Sequence, residues 1–416
     1  MQIMTRTILA LLTLGAALFS CNKTPSAEEP ATPADPEKLL VVVNGISPYS
    51  VAYAGDSGNA RAFVTALKDL TGVELASYNA TEKSGTLEIL IGRTERPETA
   101  EALKELGGKQ GYVIKPVGEK LVIAGINDTW TALALHSFQN KVLKVNAYLA
   151  GNSLTIPRSL VFKEAYAEGQ LIARLLQRGY TFTLRPTLVM NCPGENNMTI
   201  AQGAASDGQF FYFVNRTSDE SSSIVYKYDM TTLSQVAKSA TFYAGHCNDM
   251  TYDAAKKRLV IAHGQTEGKI LTPVSAENLA VQPDITIKVG SGAITYNDFK
   301  GGYAISQGGS TFYVTDRDLN VTLSKSRTDV HTGYTAQGMG SDDFYVYFPM
   351  SGSKDNALVT YDWEGKFIRI LSIPLTLESE SMFYAAGNYY VNFYLGSRKG
   401  AGLYRIDPVY TYKYAK

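Results

Sequence analysis

From residue 200 onward the chain repeats itself with a period of about 45 residues, and few folds accept such a period. Gln202-Gly203-Ala204-Ala205-Ser206-Asp207 leads into an aromatic strand at 210–214, and Gln337-Gly338-Met339-Gly340-Ser341-Asp342 leads into another at 344–348. Asn248-Asp249-Met250-Thr251-Tyr252-Asp253, Gly292-Ala293-Ile294-Thr295-Tyr296-Asn297 and Glu380-Ser381-Met382 open the other copies. The register positions 202, 248, 292, 337 and 380 are 46, 44, 45 and 43 residues apart. A second marker, a strand ending in a turn at Asp229, Ser275, Asp316, Asp362 and Asp407, advances by 46, 41, 46 and 45. Each copy has room for four short strands and cannot bury its apolar face alone. Radial stacking then predicts an all-β five-bladed β-propeller over 191–416.

The preceding residues read differently. Residues 1–21 carry Arg6, then an apolar run at 8–19 that is too short to span a bilayer, so the segment reads as a secretory signal peptide. Leu18-Phe19-Ser20-Cys21 resembles a bacterial lipobox, which implies lipidation of Cys21 and export to the cell envelope. Residues 22–37, rich in Pro, Ala, Glu, Ser and Thr with no aromatic residue, read as a disordered tether. Over 38–165 strand and helix signals alternate. Leu39 and Val43 bound a β-branched run, and Asp56 caps a helix whose Ala60, Phe63, Val64 and Leu67 share one face. Pro97 opens a second helix, a hairpin turns at Gly118, and a third helix carries Trp130, Leu133 and Phe138. Residues 166–190 form a connector, with Leu171, Ile172, Leu175 and Leu176 on a short amphipathic helix. The expected fold is an α/β accessory layer domain followed by the all-β five-bladed β-propeller.

Two resemblances bear on this. Ile89-Leu90-Ile91-Gly92-Arg93-Thr94, Gly111-Tyr112-Val113-Ile114 and Lys120-Leu121-Val122-Ile123-Ala124-Gly125 with Asn127-Asp128 resemble the N-terminal accessory domain of bacterial α-glucuronidases and hexosaminidases. In those enzymes the domain precedes a catalytic barrel and supplies no catalytic residue. No barrel sequence follows here, so their activity does not carry over. The second half resembles the repeat of exported propeller proteins whose outer strands read Tyr-Asp-Trp-Glu-Gly, as at Tyr361-Asp362-Trp363-Glu364-Gly365. That resemblance implies a fold and no settled reaction.

Charge excludes one class of partner. Lys plus Arg and Asp plus Glu both total 39, so no net field recruits nucleic acid. No Gly-rich phosphate loop, Gly-x-Ser-x-Gly elbow or metal-ligand spacing of His or Cys occurs, and no cofactor or metal is expected. Cys192 and Cys247 stay open as a disulfide pair.

In a propeller the first strand of every blade lines the central channel, so Gln202, Asn248, Gly292, Gln337 and Glu380 should converge near one axis. Amides offer both a donor and an acceptor, which suits sugar hydroxyls, and they also suit a polar plug that satisfies itself. His246 and His331 precede blade openings and join the expected ligand face with Asp249 and Tyr334, while Tyr243 and Tyr394 are further aromatics near it. The favoured reading is a lipid-anchored protein of the cell envelope whose propeller face binds a carbohydrate or cell-envelope polymer without catalysis. A propeller glycoside hydrolase using Glu380 and Asp249, with Asp298 as a displaced third carboxylate, is the first alternative. A protein-binding scaffold is the second.

Overall fold

The computed structural model describes residues 35–145, 147–307, 311–327, 333–396 and 399–414. Cys21, the signal peptide, most of the tether and His331 lie outside the described residues.

The chain is mostly β, and its second half is propeller-like, built from five antiparallel sheets. The first sheet runs Ile200–Ser206, Phe210–Arg216, Ser223–Asp229 and Gln235–Lys238, and the second Asp249–Asp253, Arg258–Ala262, Ile270–Ser275 and Ile285–Thr286. The third comprises Ala293–Asn297, Gly302–Gln307, Thr311–Asp316 and Val321–Ser326. In the fourth the innermost position is shared by Thr335–Ala336 and Gly340–Ser341, followed by Tyr345–Ser351, Asn356–Asp362 and Phe367–Ile373. The fifth holds Glu378–Ala385, Asn388–Tyr394 and Ala401–Val409, and its outer strand, Thr183–Cys192, comes from ahead of the first sheet. Hydrogen bonding from Thr183 opposite Val409 to Cys192 opposite Ala401 thereby joins the two ends of the repeat. Residues 183–190 thus belong to a sheet, where the sequence suggests only connector. Pro186 obscures that strand, and its edge position explains how the proline is tolerated.

The innermost strand of each sheet packs against that of the next, and the fifth against the first, closing a ring. The repeat's glycines allow this approach. A Cβ on Gly203 would stand 2.3 Å from the Met250 amide nitrogen, and one on Gly338 would stand 2.2 Å from the Glu380 carbonyl oxygen. Side chains then join strands that no ladder connects. The Asp249 carboxylate accepts from the backbone N–H of Met250 (2.8 Å), Ile294 (2.9 Å) and Met339 (2.9 Å), which belong to three successive sheets. Thr251 Oγ1 accepts from the Tyr296 N–H at 2.9 Å, and Ser381 Oγ accepts from the Ala204 N–H at 2.9 Å. At the opposite end of the ring, the Asp of the repeat fixes the turn into the second strand. Asp342 accepts from the N–H of Phe344 and Tyr345 and from the hydroxyls of Tyr347 (2.6 Å) and Tyr389 (2.7 Å).

In the first half, the parallel strands Ser77–Asn79, Ser50–Tyr53, Glu88–Ile91 and Lys120–Gly125 continue into the antiparallel Gln110–Val117 and Phe162–Tyr166. Helices α1 (Ser57–Thr71), α2 (Pro97–Leu103) and α3 (Asp128–Ser137) pack on this sheet. Asp56 caps α1 by accepting from the Gly58 N–H, and Asn127 caps α3 by accepting from the Trp130 N–H. The expected connector helix is α4 (Leu171–Gln177), whose Leu171, Ile172, Leu175 and Leu176 are buried. The two halves share one core, because Phe63, Trp130 and Ile172 lie in the same apolar cluster as Tyr347, Tyr389 and Tyr412. The C-terminal tail reinforces this seam. The Tyr412 N–H donates to Asn59 Oδ1 at 2.8 Å, its hydroxyl donates to Gln139 Oε1 at 2.7 Å, and Tyr410 stacks on Tyr180 at 4.8 Å.

Tyr412 is 1% exposed, so Tyr412→Ala leaves both a cavity and unpartnered polar groups in the seam. We expect a loss of about 3 kcal/mol in urea unfolding. An unchanged midpoint would show that the tail is not part of the folded core.

Candidate functional site

At one end of the ring the first strands open into a cavity of ≈ 570 Å³. Gln202, Asn248, Gly292, Gln337 and Glu380 all line it, so one residue from each register position reaches the same space. His246 and Tyr394 line it as well. Repeat geometry accounts for this meeting, because each register residue stands at or just before the start of an inner strand. Asn248 Nδ2 donates to the Gln337 carbonyl at 2.6 Å, and Gln202 Nε2 donates to the Ala201 carbonyl at 2.8 Å. Gln337 Nε2 donates to Glu378 Oε1 at 2.7 Å.

Other expected members stand elsewhere. Asp249 is directly next to Asn248 in sequence, yet alternation along the strand turns its carboxylate into the ring, where three backbone N–H groups engage it. Burial pushes its carboxyl well up and those N–H donors pull it down. It is therefore part of the scaffold and faces no ligand. Tyr334 donates its hydroxyl to Asp355 and packs on the fourth sheet's core, outside the cavity lining. Tyr243 is exposed beside His263 and does not line the cavity. His263 itself is buried, bonded through Nδ1 to Glu267 (2.8 Å) and through Nε2 to Thr272 (2.7 Å). Asp298 lies at the opposite end of the inner strands, accepting from Tyr296 and Arg317. Cys192 and Cys247 are unpaired and buried in different apolar clusters, and burial pushes each thiol up to about 12.

The cavity also contains residues that the register positions alone do not mark, notably Arg216, Gln307 and Glu378. The repeat held a signal for two of them. The second strand of each sheet runs antiparallel to the first, so its far end returns to the same face. Arg216, Gln307 and Tyr394 all occupy that end.

Two charged side chains dominate the electrostatics. Arg216 is 8% exposed, its Nη1 donates to the Thr217 carbonyl at 3.0 Å, and its Nη2 lies 3.3 Å from His246 Nε2. A guanidinium can only donate, so His246 Nε2 accepts from it, while Nδ1 lies 2.7 Å from both Glu220 Oε1 and Gln265 Nε2. Burial holds the His246 pKa below its usual value, aided by Arg216 and opposed by Glu220, which fits a neutral ring. Glu380 is 3% exposed. Burial first, and then the charge of Glu378, push its carboxyl well above the carboxylate range, while Arg216 pulls it down. Among the described residues no group of three or more His, Cys, Asp or Glu could hold a metal ion.

No family model matches the sequence, and no curated protein matches it. Among solved structures, the chain is similar to the glutaminyl cyclase of Myxococcus xanthus, with 11% identity and a TM-score of 0.41 over 55% of this chain and 97% of that one. It is also similar to a luciferin-regenerating enzyme, with 10% identity and a TM-score of 0.36 over 55% and 98% of the two chains. A nidogen/laminin complex gives 8% identity and a TM-score of 0.33 over 47% and 73%.

The scaffold role of Asp249 can be measured. Asp249→Asn turns an amide N–H₂ toward inward backbone N–H groups, and we expect a stability loss of about 3 kcal/mol in chemical denaturation. A variant as stable as the parent would remove Asp249 from the ring's support.

Proposed function

We propose that this chain is a lipid-anchored protein of the bacterial cell envelope whose five-bladed β-propeller binds a carbohydrate or cell-envelope polymer without catalysis. On this reading Cys21 carries the lipid, and the first half acts as a spacer or docking module like the accessory domain it resembles. One observation carries the proposal: polar side chains from all five sheets, with neutral amides the commonest kind, meet at a single cavity. Gln202, Asn248, Gln307 and Gln337 present the mixed donors and acceptors that sugar hydroxyls require, and Tyr394 adds an aromatic face. The cavity volume lies within the usual range for small-ligand pockets, roughly 300–1,000 Å³.

The hydrolase reading retains one supporting observation, the upward shift of the Glu380 carboxyl, which suits a general acid. Against it, Asp249 is spent inside the ring. The remaining carboxyls at the cavity, Glu378 and Glu380, come from one strand and approach a ligand from one side, whereas glycoside hydrolysis needs two carboxyls flanking the scissile bond.

A glycan array followed by calorimetry separates these readings. We expect saturable binding without product release, weakened about tenfold or more by Gln337→Ala together with Gln307→Ala. Turnover that Glu380→Gln abolishes would replace binding with hydrolysis. Silence across all glycans would leave the protein-binding scaffold.

A further inference from the structure

The hydrogen-bonding capacity left unused at the cavity says more about the ligand than the amides do. Four of its polar lining side chains are more than nine-tenths buried: Gln202, Arg216, Ser306 and Glu380. Gln202 Oε1 and Arg216 Nε have no hydrogen-bond partner. Among the described residues Arg216 is the only Lys or Arg that lines the cavity, and the carboxylate paired with it, Glu220, stands 3.8 Å away and is already held by His246 at 2.7 Å. A buried carboxyl relieves its burial by taking up a proton. A guanidinium has no such escape, since it keeps its charge at any pH the fold survives. The described lining therefore contains one obligatory, weakly paired positive charge.

We infer that the cavity takes a sugar bearing a single carboxylate, a uronic acid residue, with that carboxylate received by Arg216 and the ring hydroxyls received by the surrounding amides. This rests on the carbohydrate-binding reading and narrows it. Nη1 and Nη2 already contact Thr217 and His246, so the carboxylate would be received on the Nε–Nη2 edge, by charge-assisted bonds about twice as strong as neutral ones. Glu380 complements the arrangement: in its protonated form it has an O–H to donate to the same anionic group. Glu378 opposes an anion. It is exposed, however, so water screens its charge, while Arg216 acts from a buried position where Coulomb interactions are stronger. A second negative charge on the ligand would sit beside Glu378 and Glu220 with no second cation facing it among the described residues. A monoanionic carboxylate thus fits better than a phosphate.

The test needs no variant at its first step. Oligogalacturonate and oligoglucuronate are titrated into the wild-type protein beside their methyl esters, which keep the shape and lose the charge. We expect the free acid to bind at least tenfold more tightly than the ester for at least one of the two series, with the gap narrowing as salt rises. Arg216→Gln should abolish that gap. If that variant fails to fold, the salt dependence of the wild-type gap decides alone. Equal or tighter binding of the ester, or tighter binding of a sugar phosphate than of the uronate, overturns the inference and leaves the carbohydrate-binding reading standing. Absence of binding by every acid, ester and neutral glycan overturns both.

Discussion

The ring closes only because inner strands of different sheets satisfy one another without a ladder. Within each sheet, backbone groups pair as in any antiparallel structure. At the axis, five strands lie side by side and their facing N–H groups lose water without gaining a regular partner, a cost that must be met group by group. Asp249 meets it most fully, since one carboxylate takes N–H groups from its own strand and from the third and fourth sheets. Thr251 and Ser381 do the same for single neighbours. The arrangement is cooperative in a specific sense: each acceptor is useful only while the adjacent sheet is in place.

The cavity inherits its rigidity from that layer. Asn248 bonds to backbone carbonyls at Gly292 and Gln337, and Asn392 Nδ2 donates to the Gln202 carbonyl at 2.7 Å, so the rim is tied to the sheets around it. A ligand entering the cavity meets amides that are already oriented. Preorganisation of this kind lowers the ordering cost of binding. It also explains why Asn248, although it faces the cavity, is a poor position for testing ligand contacts by substitution.

The period of the repeat was legible because it records backbone geometry. Gly203 and Gly338 occur where a side chain would strike the next inner strand, and Asp207 and Asp342 occur where a turn needs an acceptor for its N–H groups. The glycine stands in two of the five copies and the turn acceptor in four, as Asp207, Asp253, Asn297 and Asp342, so together they leave a mark at a fixed spacing. What the spacing could not resolve is direction. Asn248 and Asp249 are neighbours in sequence, and pleating sends one toward the cavity and the other into the ring. Tyr334 sits three residues from Gln337, yet its hydroxyl finds Asp355. The strand Thr183–Cys192 was hidden for another reason: its partner lies more than two hundred residues away, and its exposed edge requires neither alternation nor the absence of proline. The shared core is a similar case, since apolar periodicity shows that a face is buried without showing against what.

The division of labour among the carboxyls follows from how each can answer burial. Burial pushes the Asp249 carboxyl well up, its three backbone N–H donors pull it part of the way back, and it serves the fold. Burial first and then the charge of Glu378 push the Glu380 carboxyl well up as well, against the pull of Arg216, the only Lys or Arg lining the cavity among the described residues, and in its protonated form it can donate. Glu378 stays in contact with water and is steadied by Gln337. Two acids on the same strand, one protonated and one solvated, can orient a hydroxylated ring from one side, but they cannot push and pull a glycosidic bond from opposite sides. The opposite side of the cavity presents Gln265 and Gln307, amides that recognise hydroxyls and neither accept nor deliver a proton in the physiological range. The proposed recognition draws on both groups, with Arg216 supplying the charge that the amides lack.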